Sequence, residues 1–165
     1  MRLLLGLIFL FSSYQFNAQE WQTTDIKIYK TFEDLEPLLH IANDTTYVVN
    51  FWATWCGPCV KELPHFEALN DTYQDSKVKV ILLSLDMERQ IETKLIPFLN
   101  KNKIISEVVL LADGKAHRWI DKVDPKWSGA IPITLIFQGE KRSFFEQDFH
   151  SEQELVDIIE PFLNK

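Results

Sequence analysis

An α/β fold, with a central mixed sheet covered by helices on both faces, is what this 165-residue sequence predicts, and three observations predict it. Two apolar runs rich in β-branched and aromatic residues, 47–52 and 77–85, suit strands buried on both sides. Between them Val60, Leu63, Phe66, Leu69 and Tyr73 recur at helical spacing, so the two strands are joined by a crossover helix and lie parallel. Further on, 133–137 and 142–146 flank the turn Gln138-Gly139-Glu140-Lys141, an antiparallel hairpin that makes the sheet mixed.

Taken in order, the chain opens on Met1-Arg2, then an unbroken apolar run over 3–11 and polar Ser12-Ser13. One positive charge before a run well short of the ~20 residues of a spanning helix is a secretory leader pattern. The expected leader is 1–18, cut after Ala18, with an uncleaved anchor as the alternative; membrane contact is expected only in that case. Residues 22–165 then form one domain with a sizeable core. A formal net charge of −7 without a basic stripe argues against a nucleic-acid partner.

Loose alternation over 21–29 predicts an edge strand. Thr31, followed by Glu33 and Asp34, caps a helix expected to run to about Ala42, and Asn43-Asp44 turns into the first buried strand. Pro64 should bend the crossover helix. Residues 88–102 are helical in pattern, with Ile91, Leu95, Phe98 and Leu99 inward and a bend or early stop at Pro97. A short strand at 107–111 ends at Asp113-Gly114, and 115–123, with Trp119 and Ile120, reads as a short helix. Ser151-Glu152-Gln153-Glu154 has the form of a capping box for a last helix that buries Leu155, Val156, Ile158, Ile159 and Phe162.

The chemistry lies where the first buried strand ends. Trp55-Cys56-Gly57-Pro58-Cys59 holds both cysteines of the chain, three residues apart at the start of the crossover helix, with Gly57-Pro58 ending the strand and presetting the first helical turn. Unpaired N–H groups and the positive end of the helix dipole favour a thiolate there. A thiol pKa lowered from about 8.5 to about 7 corresponds to about 2 kcal/mol of preference for the anion. Cys56 is the expected nucleophile and the more buried Cys59 its resolving partner. A structural cross-link is the alternative, disfavoured because so short a loop constrains the unfolded chain little. Zinc would need further ligands that no second Cys pair or close His pair supplies. An exported chain with a single Cys pair points to a pair in use.

These residues resemble the active site of the thioredoxin superfamily, and Phe51-Trp52-Ala53 resembles the strand that delivers it. With the leader, the chain is similar to extracytoplasmic reductases of the TlpA and ResA type. The resemblance implies a three-layer α/β/α sandwich with an insertion at about 88–123, and a protein-disulfide oxidoreductase with no cofactor and no metal. It implies that Ile131-Pro132 is a cis peptide facing the cysteines, with Ile131 offering its backbone to the substrate and Trp55, Gly57 and Pro58 beside it. The usual Thr after the proline is replaced by Ile133, with Thr134 following.

Where thioredoxins place a buried Asp six positions before the first cysteine, this chain has Asn50, which cannot exchange a proton. Glu62, on the same helical face as Cys59, is the candidate carboxylate, as in ResA-type proteins, with a solvated surface glutamate as the alternative. His65 reads as a half-exposed helix residue, with a catalytic role as the alternative, and His117 enters only on the reading of the chain as a metal carrier. The expected partners are disulfides of secreted or periplasmic proteins and a membrane thiol electron donor, with the chain a monomer; the sequence does not identify the client, and apocytochrome c, other secreted proteins, a general stress role and no dedicated client are all consistent with it. Gly57-Pro58, the dipeptide of thioredoxins near −270 mV, predicts a reductase. Two other functions compete: a thiol peroxidase, whose Pro-X-X-X-Thr-X-X-Cys setting is missing, and a non-catalytic thiol or metal carrier.

Overall fold

The computed structural model describes residues 20–163, and the leader expected over 1–18 lies outside them. Four parallel strands, β1 (Lys27–Tyr29), β2 (Thr46–Trp52), β3 (Val78–Ser84) and β4 (Glu107–Leu111), share a sheet with β5 (Ile133–Gln138) and β6 (Lys141–Phe145) in the order β1-β4-β3-β2-β5-β6. β5 runs antiparallel to β2, and β6 antiparallel to β5. Segment 88–123 supplies β4, which lies between β1 and β3.

Alternation along β2, buried at all seven positions, divides the core. Val48 and Trp52 join Leu82, Leu110 and Ile136 on one face, under α2 (Gly57–Thr72), α3 (Ile96–Asn102) and α5 (Glu152–Leu163). Val49 and Phe51 join Ile81, Leu83 and Leu135 on the other, under α1 (Phe32–Leu35) and α4 (Ile120–Val123). Each large side chain so buried contributes roughly 1.5–3 kcal/mol. The outcome is the expected three-layer sandwich.

Departures from expectation have local causes, mostly prolines. Thr31 caps α1 by accepting from the Asp34 N–H, but α1 ends at Leu35 and a 3₁₀ turn carries the chain to His40, short of Ala42. Pro37 has no N–H to continue the i to i−4 ladder. The stretch expected as one helix over 88–102 is a 3₁₀ turn, a π-helical segment Ile91–Leu95 and then α3, with Pro97 in the first turn of α3, where a missing donor costs nothing. Residues 21–29 hold a 3₁₀ turn, and only their last three form a strand. α2 continues through Pro64, which withholds an N–H from Val60. Val60 and Tyr73 on its expected core face are only half-buried, as are Val156 and Ile158 on α5. Ser151 accepts from the Glu154 N–H, but the Glu154 carboxylate takes the His150 N–H, one residue before the position a capping box would use.

Candidate active site

β2 ends at Trp52, whose carbonyl still accepts from the Leu85 N–H at 2.8 Å. The chain then turns, with the Cys56 N–H bonded to the Ala53 carbonyl at 3.1 Å, and α2 begins. A carboxylate that sequence reasoning did not single out fixes this turn. Asp86, buried just beyond β3, accepts from the Thr54 N–H at 3.0 Å, the Thr54 hydroxyl at 2.6 Å and the Ser84 hydroxyl at 2.9 Å. Its available signal was Ser84-x-Asp86 at the carboxyl end of a parallel strand, where sites on open α/β sheets gather.

Cys56 is the N-cap of α2, and its Sγ accepts from the Cys59 N–H at 3.3 Å. The helix end therefore presents a backbone donor to that sulfur, which is what stabilises a thiolate. The two cysteines are joined as a disulfide, with Cα atoms 5.3 Å apart. Cys56 keeps 6% of its surface exposed and Cys59 none, while Trp55, at 63%, stands out from the protein beside exposed Gly57 and Pro58.

Across from the pair, the Ile131–Pro132 peptide is cis, and the Ile131 carbonyl oxygen lies 3.7 Å from Cys56 Sγ. The loop is held from both sides. Trp127 Nε1 donates to the Ala130 carbonyl at 2.6 Å, and Glu146 accepts from both the N–H and the hydroxyl of Ser128. Gly129 has φ 94° in this loop, a left-handed conformation in which a side chain would be strained, and an added Cβ would meet the Ile120 side chain at 3.1 Å. Pairing of β5 on β2 accounts for the residues after the proline: Ile133 faces Phe51 in the core, and Thr134 lies opposite Asn50.

Glu62 is not a solvated surface group. It is 1% exposed, and its carboxylate accepts from Asn50 Nδ2 at 2.8 Å and the Phe149 N–H at 2.9 Å. Burial pushes its pKa up to about 7 despite these two donors. The same Asn50 amide lies 3.3 Å from Thr134 Oγ1, whereas its buried Oδ1 has no partner among the described residues. Cys59 and Glu62, one helical turn apart on the buried face of α2, thus share the interior beneath the disulfide. His65 is half-exposed, and His117 lies in a 3₁₀ turn across the sheet. Trp119 and Trp127 pack rather than stand exposed, their rings 5.7 Å apart. Among the described residues, no three His, Cys, Asp or Glu side chains cluster where an ion would be held.

A Cys-X-X-Cys pair at a helix N-terminus, opposed by a cis-proline loop on this sheet, is the architecture of the thioredoxin-like thiol-disulfide oxidoreductases. The chain belongs to the AhpC/TSA family, which it matches over residues 17–142. It is similar to sporulation thiol-disulfide oxidoreductase A of Bacillus subtilis, 29% identical over 114 residues that make up 68% of each chain. It is also 30% identical to thiol-disulfide oxidoreductase ResA of Bacillus thuringiensis over 71% of this chain, and spans 61% of that protein's length. A thioredoxin-related protein from Neisseria meningitidis serogroup B has the same fold, with a TM-score of 0.61 at 24% identity over 73% of this chain and 86% of its own.

Proposed function

We propose that this protein reduces disulfide bonds of other polypeptides outside the cytoplasm, with Cys56 as nucleophile and Cys59 as resolving thiol. In the reduced protein the Cys56 thiolate attacks one sulfur of a client disulfide, the client S–S bond breaks, and the client's other sulfur leaves as a thiolate. Cys59, deprotonated, then attacks Cys56 Sγ in the mixed disulfide. The second client sulfur leaves, the Cys56–Cys59 disulfide forms, and two electrons have passed to the client. We assign the Cys59 proton to Glu62, one helical turn away, because a carboxyl near pKa 7 accepts and returns protons at neutral pH. The exposed Trp55, Gly57 and Pro58 give a client chain its approach, and the Ile131 backbone its alignment.

The observation that carries this reading is the setting of Cys56 Sγ, between the Cys59 N–H that steadies its anion and the Ile131 carbonyl of the cis-proline loop. The family match, and relatives that carry the name thiol-disulfide oxidoreductase, support it. The leader pattern and the ResA-type resemblance support export and a membrane thiol donor, and are consistent with apocytochrome c as one client beside other secreted proteins. Turnover of insulin disulfides by the pure protein tests the chemistry. We expect activity that Cys56→Ser abolishes, and a Cys59→Ser protein that accumulates clients covalently bound through Cys56 in its native host. Insulin reduction that survives Cys56→Ser, or peroxide turnover that needs Cys56 but not Cys59, would overturn the assignment.

A further inference from the structure

Between β6 and α5 the chain crosses Glu62 as a strap, residues 146–151, that is pinned at three points. Glu146 accepts from the Ser128 N–H at 3.1 Å, which ties the near end to the cis-proline loop. The Phe149 N–H donates to Glu62 Oε2 at 2.9 Å, and the His150 N–H donates to Glu154 at 3.0 Å. The buried Phe149 ring packs edge-on against Phe66 and Phe145 and fixes the middle of the strap to the core.

Asp148 stands in the strap directly before the amide that Glu62 accepts. Its Cα is two bonds from the Phe149 nitrogen, so the strap holds a second carboxylate within about 9 Å of Glu62 Oε2. Among the described residues Asp148 pairs only with His150, whose Nδ1 lies 3.9 Å away and carries charge only when protonated. The other elements packed on Glu62 bring no fixed charge to it. β2 presents Asn50 and β5 presents Thr134, neither of which titrates, and α2 presents Cys59. Lys61 on α2 is exposed, His65 is half-exposed, and Glu154 of α5 is engaged with the strap. Burial is the main cause that raises the Glu62 pKa to about 7, the Phe149 and Asn50 donors oppose it, and the like charge of Asp148 works in the same direction as burial.

Building on the reading of Glu62 as the acceptor of the Cys59 proton, we infer that Asp148 is a positioning residue for the resolving step: its carboxylate, held beside Glu62 by the pinned strap, favours the protonated carboxyl by like-charge repulsion and makes Glu62 a stronger base toward Cys59. Asp148 contributes no atom to the exchange. The proton leaves Cys59 Sγ for a Glu62 oxygen, and the sulfur keeps the electron pair with which it attacks Cys56 Sγ.

The test uses the full-length protein, isotope-labelled at its Glu carboxyl carbons, so that Glu62 is titrated directly by NMR in the oxidised state and identified by the loss of its signal in Glu62→Gln. We expect the Glu62 midpoint to fall by about half a pH unit in Asp148→Asn, the scale of one partly solvated charge about 8 Å away, and by about twice that in Asp148→Lys. Asp148→Glu should keep the midpoint, and added salt should narrow the gap between wild type and Asp148→Asn. Resolution of a preformed mixed disulfide by Cys59 should follow, its pH profile displaced downward by the same amount, while attack by Cys56 is unchanged. Protection of the Phe149 amide from hydrogen exchange should be equal in wild type and Asp148→Asn, which separates loss of charge from loosening of the strap. A Glu62 midpoint unmoved in Asp148→Asn would overturn the role of Asp148 and leave the redox assignment standing. So would an equal fall in Asp148→Glu, or a fall accompanied by an exposed Phe149 amide, since packing would then be the cause. A midpoint that moves while the resolving step does not would overturn this role together with the assignment of the Cys59 proton to Glu62. Absence of any disulfide exchange would remove the oxidoreductase reading and the role of Asp148 with it.

Discussion

The rim of the active site and its interior are built in opposite ways. The rim, Trp55-Cys56-Gly57-Pro58, is contiguous in sequence and exposed apart from Cys56, and its special property, a sulfur facing a backbone donor, comes from one helix end. The interior brings Asn50 from β2, Glu62 from α2, Thr134 from β5 and Phe149 from the segment before α5 into one hydrogen-bonded cluster. A helix N-terminus lowers the pKa of a thiol locally and without the rest of the fold. Raising a carboxyl to about 7 takes burial, which only the assembled core provides. On the proposed mechanism the nucleophile Cys56 is tuned by its own neighbours in the chain, and Glu62, assigned to the Cys59 proton, by the whole sandwich, so damage to packing should reach the second step of exchange before the first.

The largest expected effect tests that division at Glu62. Its folded pKa of about 7 lies above the ordinary 4.5, so between these values the folded protein keeps a proton that the unfolded chain releases. The stability this group contributes should therefore be greatest below about pH 4.5 and fall as pH rises toward 7, by up to about 3 kcal/mol. Denaturant unfolding of the oxidised protein across that range measures the fall, and in Glu62→Gln the fall should be absent. In the same variant, resolution of a preformed mixed disulfide by Cys59 should slow at least about tenfold near pH 7 and lose its dependence on a group of pKa near 7, while attack by Cys56 keeps its own profile. An unchanged profile for the resolving step would remove Glu62 from the reaction. Placing the carboxylate on the strand instead, with Asn50→Asp in the Glu62→Gln background, should restore part of that rate.

How much of this could be read from residues alone follows the same division. The strand, turn and helix at 46–72 and the terminal hairpin are legible because apolar period and turn residues are short-range signals. Cys56, Cys59 and the Ile131-Pro132 pair stand out as motifs. That Glu62 lies near Cys59 follows from helical spacing, but its burial does not, since that depends on Phe149, 87 residues further on, closing over it. Asn50 is visible as a departure from the thioredoxin pattern, and its bond to Glu62 is not. Asp86 escaped notice because its partners, Thr54 and Ser84, are met only when β2 and β3 pair. The first helix ends earlier than expected at Pro37, whose missing N–H gives way to a 3₁₀ turn, and 88–95 winds as 3₁₀ and π before α3 begins at Ile96.

Asp86 offers a second, smaller test, because it ties the rim to the neighbouring strand. Asp86→Ala removes the acceptor of the Thr54 N–H, the Thr54 hydroxyl and the Ser84 hydroxyl, leaving buried donors unpaired at a cost of about 1–3 kcal/mol. Thermal unfolding should register that loss. Thr54→Val removes only the hydroxyl partner, and it should cost less and affect the pH profile of resolution not at all. A shift of that profile in either variant would mean that the rim and the interior are coupled, contrary to the division drawn above.

The smallest effect is expected at Glu146, which accepts from the Ser128 N–H and hydroxyl and so fastens the cis-proline loop to the end of β6. These bonds, the Ser128 hydroxyl foremost, hold its carboxyl below the ordinary value of 4.5. Its contribution is therefore present above about pH 4.5 and lost as pH falls, the reverse of the direction at Glu62. The group is exposed, so screening by water should keep the loss in Glu146→Gln below about 1 kcal/mol. Comparing unfolding of wild type and variant at pH 7 and pH 3 checks both size and sign: a small gap at pH 7 should close at pH 3. A gap that persists in acid would mean that Ser128 is held by the side chain's shape and not by its charge, and the loop opposite Cys56 would then owe nothing to ionisation at its edge.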